Sequence, residues 1–214
     1  MVGIPPEIRQ VAALISKDGG KSWKWGECTP LLPTEKYLKS PKKGNVEHEY
    51  VNIWEPHSFE HPDGDIGMFI RVSGSMVNDG YKADQMILYT ESNDCGLTFS
   101  WPETVDVETV SSRHIAFSSS FSPSDLIMAA NDWLPNFPVN LRDRHYLSLY
   151  FSPVCDPELL IPGPVIQQLG TTGHYPNGEV NDGEMIIAYS YGVQPRAIYA
   201  SRITGFPDFT TPFF

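Results

Sequence analysis

The chain breaks into short apolar runs separated by polar turns rich in glycine, proline and aspartate. Three runs share one form, a polar turn feeding directly into an apolar strand. They are Asp63-Gly64-Asp65-Ile66-Gly67-Met68-Phe69-Ile70-Arg71, Ser124-Asp125-Leu126-Ile127-Met128-Ala129-Ala130-Asn131 and Asp182-Gly183-Glu184-Met185-Ile186-Ile187-Ala188-Tyr189. Each has the length of a strand and no continuing helical period. Further strands are predicted over 85–90, 101–105, 145–151, 164–166 and 197–202. Short strands without helical spacers predict antiparallel sheets. The opening run at 11–15 reads as the second half of a sheet whose first half is missing.

A second element also repeats. Ser16-Lys17-Asp18-Gly19-Gly20-Lys21-Ser22-Trp23 and Ser92-Asn93-Asp94-Cys95-Gly96-Leu97-Thr98-Phe99 both read S-x-D-x-G-x-[ST]-aromatic. The aspartate can accept backbone N–H groups of its own turn, and the glycine supplies a positive φ. A degenerate copy, Ser152-Pro153-Val154-Cys155-Asp156, starts 60 residues after the second. The turn-fed strands start at 63, 124 and 182, also about 60 residues apart. Two different elements on one period predict an array of sheets.

The S-x-D-x-G-x-[ST]-aromatic turn resembles the Asp-box of the sialidase-like (BNR-repeat) β-propellers, and the resemblance spans 8–203. It implies an all-β propeller built of four-stranded antiparallel blades, with fewer than six blades in this chain. A sandwich would accommodate the strands but does not explain the turns. The expectation is one domain over 1–214 that starts mid-blade, with the apolar tail 204–214 packed back onto it. In that family the Asp-box sits away from the active site, so Asp18 and Asp94 are expected to be structural.

Composition narrows the partners. At 41% hydrophobic and 12% aromatic, 214 residues can bury a substantial core. A net charge of −11 argues against a nucleic-acid or anionic-membrane surface, while leaving room for a local basic pocket among 15 lysines and arginines. No run approaches the ~18 apolar residues of a transmembrane helix. Met1–Pro6 lacks the basic and apolar regions of a signal peptide, and the sequence names no compartment. Cys28, Cys95 and Cys155 are too widely spaced for a zinc site, so no metal and no cofactor is expected.

The candidate chemistry lies just ahead of the turns. Trp54-Glu55-Pro56-His57 precedes Asp63-Gly64, and Arg71 ends the strand that follows. Asn131 ends the next turn-fed strand, and Arg142 precedes the strand after it. Gly173-His174-Tyr175-Pro176 precedes Asp182-Gly183. The resemblance implies a glycoside hydrolase acting on a terminal, acidic sugar of a glycan. Tyr175 would be nucleophile, since a neutral phenol avoids repulsion by a substrate carboxylate. Glu55 would handle its proton, with Glu179 a weaker candidate. Arg71 and Arg142 would clamp an acid bidentately, ahead of Arg113, Arg144 and Arg196. His57, Asn131 and His174 would bind substrate. The chain departs from the family in lacking an early F-R-I-P-type arginine motif and a recognisable acid/base aspartate. Two other readings stay open: a non-catalytic propeller that binds glycan or protein, and a truncated, inactive enzyme.

Overall fold

The computed structural model of the protein describes residues 9–33, 51, 53–72, 87–107, 109, 113–118, 126–131, 146–152, 155–167, 173–181, 184–191 and 197–204. Among them thirteen strands form four antiparallel sheets. A two-stranded sheet pairs β1 (Leu14–Ile15) with β2 (Lys24–Trp25). The next runs β3 (Ile53–Glu60), β4 (Ile66–Val72), β5 (Ile87–Ser92) and β6 (Glu103–Val105). It is followed by β7 (Ile115–Ser118), β8 (Leu126–Asn131), β9 (Leu147–Ser152) and β10 (Ile161–Gln167). The last runs β11 (Gly173–Asn181), β12 (Glu184–Tyr191) and β13 (Ala197–Thr204). Every sheet is a meander in which neighbours in sequence are neighbours in space. The expected tail at 204–214 falls almost wholly outside the described residues.

The turn-fed strands anticipated from sequence are β4, β8 and β12, second in their sheets. Each sheet has one more strand ahead of its turn, namely β3, β7 and β11. These first strands do not look like strands in the sequence, because β3 and β11 each carry a proline and several polar residues. Proline cannot donate to a ladder. The register slips around both prolines, between Trp54 and His57 and between His174 and Asn177, so the missing N–H falls in a bulge.

Packing between the sheets makes the core. Phe59, Phe69, Ile87, Leu126, Met128 and Tyr150 fill the space between the first and second four-stranded sheets. Ile115, Ile127, Leu147, Leu149, Met185 and Ile187 fill the space between the second and the last. A third cluster, Leu32, Ile53, Met68, Ile70 and Leu88, covers the outer face of the first, and the β1–β2 side of the chain adds Val11. The second four-stranded sheet is therefore covered on both faces, so β8 and β9 are buried at every position. That explains their unbroken runs of apolar and small residues. Sheets stacked face to face, with their first strands side by side, form part of a β-propeller.

The two serine–aspartate turns are built alike. Asp18 Oδ1 accepts from the Ser22 amide at 2.8 Å and Oδ2 from Ser22 Oγ at 2.6 Å. Asp94 accepts from the Thr98 amide at 2.8 Å and from Thr98 Oγ1 at 2.6 Å. Ser16 and Ser92 accept from the Gly20 and Gly96 amides. In the degenerate copy Ser152 Oγ still accepts from the amide four residues on, that of Asp156, at 2.9 Å.

Hydroxyl donation, Ser22 to Asp18 and Thr98 to Asp94, leads the bonds that hold both carboxyls down at about 2. A depressed carboxyl stabilises the fold above its unfolded pKa, near 3.8, and loses that contribution as pH falls through 2. An Asp18→Asn/Asp94→Asn protein is therefore expected to show a shallower fall of thermal midpoint between pH 4 and 2 than the parent. Matched acid-side melting curves for the two proteins would contradict this.

Candidate functional site

The first strands of the three larger sheets adjoin, β3 against β7 and β7 against β11. Register defines equivalent places on them. His57 pairs with Phe69, Ile115 with Ala129 and Asn177 with Ala188. Two residues earlier stand Glu55 in the β3 bulge, Tyr175 in the β11 bulge and Arg113 just ahead of β7. The Glu55 carboxylate and the Tyr175 phenol thus occupy matching bulges, with the Arg113 guanidinium ahead of the strand between them. Arg113 lacks the proline that follows Glu55 and Tyr175.

The backbone at two of these places is unusual. Among the described residues, four non-glycines have positive φ, and they include Glu55 at 43° and Tyr175 at 52°. The other two are turn cysteines, Cys95 and Cys155. A left-handed non-glycine residue costs about 1–2 kcal/mol. The proline on its C-terminal side disfavours the right-handed helical region, and the bulge takes up the extra residue. Strain of this kind gathers at functional sites and persists where surrounding structure over-determines it.

Glu55 and Arg71 form an ion pair. Arg71 Nη1 donates to Glu55 Oε2 at 2.6 Å, with the side chains 16% and 28% exposed respectively. Arg71 lies on β4 opposite Trp54, so the β3 bulge turns Glu55 toward its partner strand. Arg9 stacks over the Trp54 ring, its guanidinium carbon 3.2 Å from the centroid.

His57 joins two sheets by donating from Nε2 to the Ala116 carbonyl of β7 at 2.9 Å. Burial lowers its pKa most, that hydrogen bond opposes the shift, and the charge of Arg113 lowers it further. His114, fully buried, is pushed down to about 4 by burial, with His57, Arg71 and Arg113 adding to the effect. Both imidazoles are neutral near pH 7, so the fixed positive charges among the described residues here are arginines: Arg71, Arg113 and, over Trp54, Arg9.

Asn131 ends β8 fully buried and donates from Nδ2 to the Tyr146 carbonyl at 3.1 Å, which ties β8 to the segment entering β9. Tyr175 is 42% exposed at the β11 bulge. His174 pairs with Ser190 through its backbone, and its side chain lies outside the described residues. Arg142 lies outside them too, as do Arg144 and Arg196. The structure brings Glu55 and Arg71 together and sets Tyr175 at the level of Glu55 two sheets away. No group of three His, Cys, Asp or Glu side chains among the described residues is arranged to hold a metal ion. No helix among them is long and apolar enough to cross a membrane.

Solved structures share this arrangement of strands. One is a protein of unknown function from Dyadobacter fermentans, 19% identical, with a TM-score of 0.59 over 88% of this chain and 44% of that one. Another is a sialidase variant from Streptococcus pneumoniae, 16% identical, at 0.54 over 85% of this chain and 24% of that one. A third is an α-L-arabinanase from Penicillium chrysogenum in complex with arabinobiose, 16% identical, at 0.56 over 82% and 50%. The fold is that of a sialidase-like β-propeller. This propeller chain spans between a quarter and a half of the length of those solved chains. No protein-family model matches its sequence, and no curated protein is similar to it.

Proposed function

We propose that this propeller carries a glycan-cleaving site of sialidase-like type, acting on a terminal acidic sugar, and that its paired turns are Asp-boxes of the BNR kind. The observation that carries the reading is the shared backbone of Glu55 and Tyr175. Two residues of opposite chemistry, a base and a phenol, occupy the same strained notch before proline in different blades. The Tyr175 hydroxyl attacks the anomeric carbon as the glycosidic C–O bond breaks, and Glu55 receives the phenolic proton. The aglycone oxygen takes a proton from water, and a second water then releases the sugar from Tyr175. Arg71 and Arg113 face the substrate carboxylate, and Arg142 takes the same role. His57 and His174 complete the pocket around the sugar, and Asn131 braces it from within by holding the segment that enters β9. Likeness to a sialidase and to an arabinanase supports carbohydrate as the substrate class.

The pairing of Glu55 with Arg71 favours a second reading, in which the two neutralise each other and the blades bind a glycan without cleaving it.

Fluorophore release from aryl glycosides of sialic and uronic acids, by the parent and by Tyr175→Phe, separates the two. Release by the parent that falls by at least a hundredfold in Tyr175→Phe supports the enzyme. Undiminished release in the variant removes Tyr175 as nucleophile. A folded parent that is inert on the whole panel leaves the binding propeller.

A further inference from the structure

A second cluster of reactive side chains lies away from these residues, where the first and second four-stranded sheets meet. Cys155 sits in the degenerate serine-led turn, at the place held by Gly19 and Cys95 in the complete copies, and shares their positive φ. Cys95 is exposed, whereas Cys155 is 6% exposed and packs in the cluster with Phe59 and Tyr150. Its Sγ lies 3.2 Å from Nδ1 of His61, a residue 94 positions earlier in the turn between β3 and β4.

The other side of the ring fixes the tautomer. Tyr89 Oη donates to Glu91 Oε1 at 2.5 Å, so its oxygen is free to accept from His61 Nε2, 2.7 Å away. Nε2 therefore carries the proton, and the lone pair of Nδ1 faces the thiol. Glu91 Oε1 is also 3.6 Å from Nε2, placed to stabilise an imidazolium. Gly67 makes room for the ring, since a Cβ there would sit 2.7 Å from His61 Nε2 and press on Phe59. The ionisable side chains around the thiol are His61, Glu91 and Asp156. The two carboxylates oppose a thiolate, and the imidazolium offsets them.

We propose that Cys155 is an oxidisable thiol activated by His61, taking one oxygen from hydrogen peroxide. His61 Nδ1 accepts the thiol proton, and the thiolate attacks one peroxide oxygen. The S–O bond forms as the O–O bond breaks. The departing hydroxide takes the proton from Nδ1 and leaves as water. Sulfur loses two electrons and the peroxide is reduced, giving a sulfenic acid wedged between two blades. A purely structural S–H···N hydrogen bond would hold the sheets together without this reactivity.

Hydrogen peroxide at pH 6 followed by dimedone, with peptide mass spectrometry of the three cysteine peptides, tests it on the intact protein. An ordinary thiol with a pKa near 8.5 is under about 1% thiolate at that pH. Cys155 is expected to be trapped on the order of tenfold faster than exposed Cys28 and Cys95. His61→Asn should abolish that advantage, and Tyr89→Phe, which keeps the ring and its packing, should reduce it. If His61→Asn does not fold, Tyr89→Phe decides alone. Trapping no faster than at Cys28 and Cys95, an advantage unchanged in the folded variants, or trapping only after denaturation overturns the proposal.

Discussion

Glu55→Gln is expected to lower kcat/KM on a cleavable aryl glycoside by about 10²–10⁴-fold, the range spanned by general acid–base catalysis. The amide keeps the shape of Glu55 and one oxygen that can accept from Arg71, so the β3 bulge should survive. What disappears is the proton acceptor, together with the charge that balances Arg71. The two losses differ in their pH signature. If Glu55 accepts the phenolic proton, the acid limb of the kcat/KM profile vanishes in the variant. If it serves only to position Arg71, the profile keeps its shape and moves down uniformly. Turnover within twofold of the parent would remove Glu55 from the chemistry. Circular dichroism on both proteins guards against confusing a rate effect with unfolding.

Phe69→Ala is expected to destabilise the fold by about 3–5 kcal/mol, near the top of what a single core truncation produces. Phe69 is fully buried in β4. Its ring lies 5.7 Å from Phe59, 5.2 Å from Tyr89 and 5.9 Å edge-on from His114, so its removal leaves a hole bounded by residues of two sheets. Relaxation is limited because the surrounding strands are anchored by their ladders. Ile186 is the control: on the last sheet and 51% exposed, its truncation to alanine should cost within about 0.5 kcal/mol. Urea unfolding of both variants tests the contrast. Equal midpoints would mean that the space between the first two sheets is not a tightly packed core. Because Phe69 also lies opposite His57 in the ladder, its loss should reach the Glu55–Arg71 pair as well.

Much of the architecture could be read from the sequence because its signals are local. The turns at 16–23 and 92–99 carry their own hydrogen-bonding groups, and the strands after 63, 124 and 182 are apolar enough to stand out. The first strands could not be read in this way. Their prolines and polar residues argue against a strand, and only pairing with β4 and β12 shows that bulges absorb the conflict. Glu55 and Tyr175 stood out by their places ahead of the Asp63-Gly64 and Asp182-Gly183 turns, whereas the bulges that hold them show only in the ladder registers. Cys155 and His61 are separated by 94 residues and meet only when two sheets pack, so nothing nearby in the sequence could announce them.

The notch before proline separates two demands that usually conflict. At an ordinary position in a first strand, exchanging one side chain for another disturbs neighbours across the ladder. At the bulges of β3 and β11 the ladder is already interrupted, and one place accepts an acid while the other accepts a phenol. Reactive groups can be exchanged there while the sheets keep their registers, so a single scaffold can be given new chemistry one blade at a time.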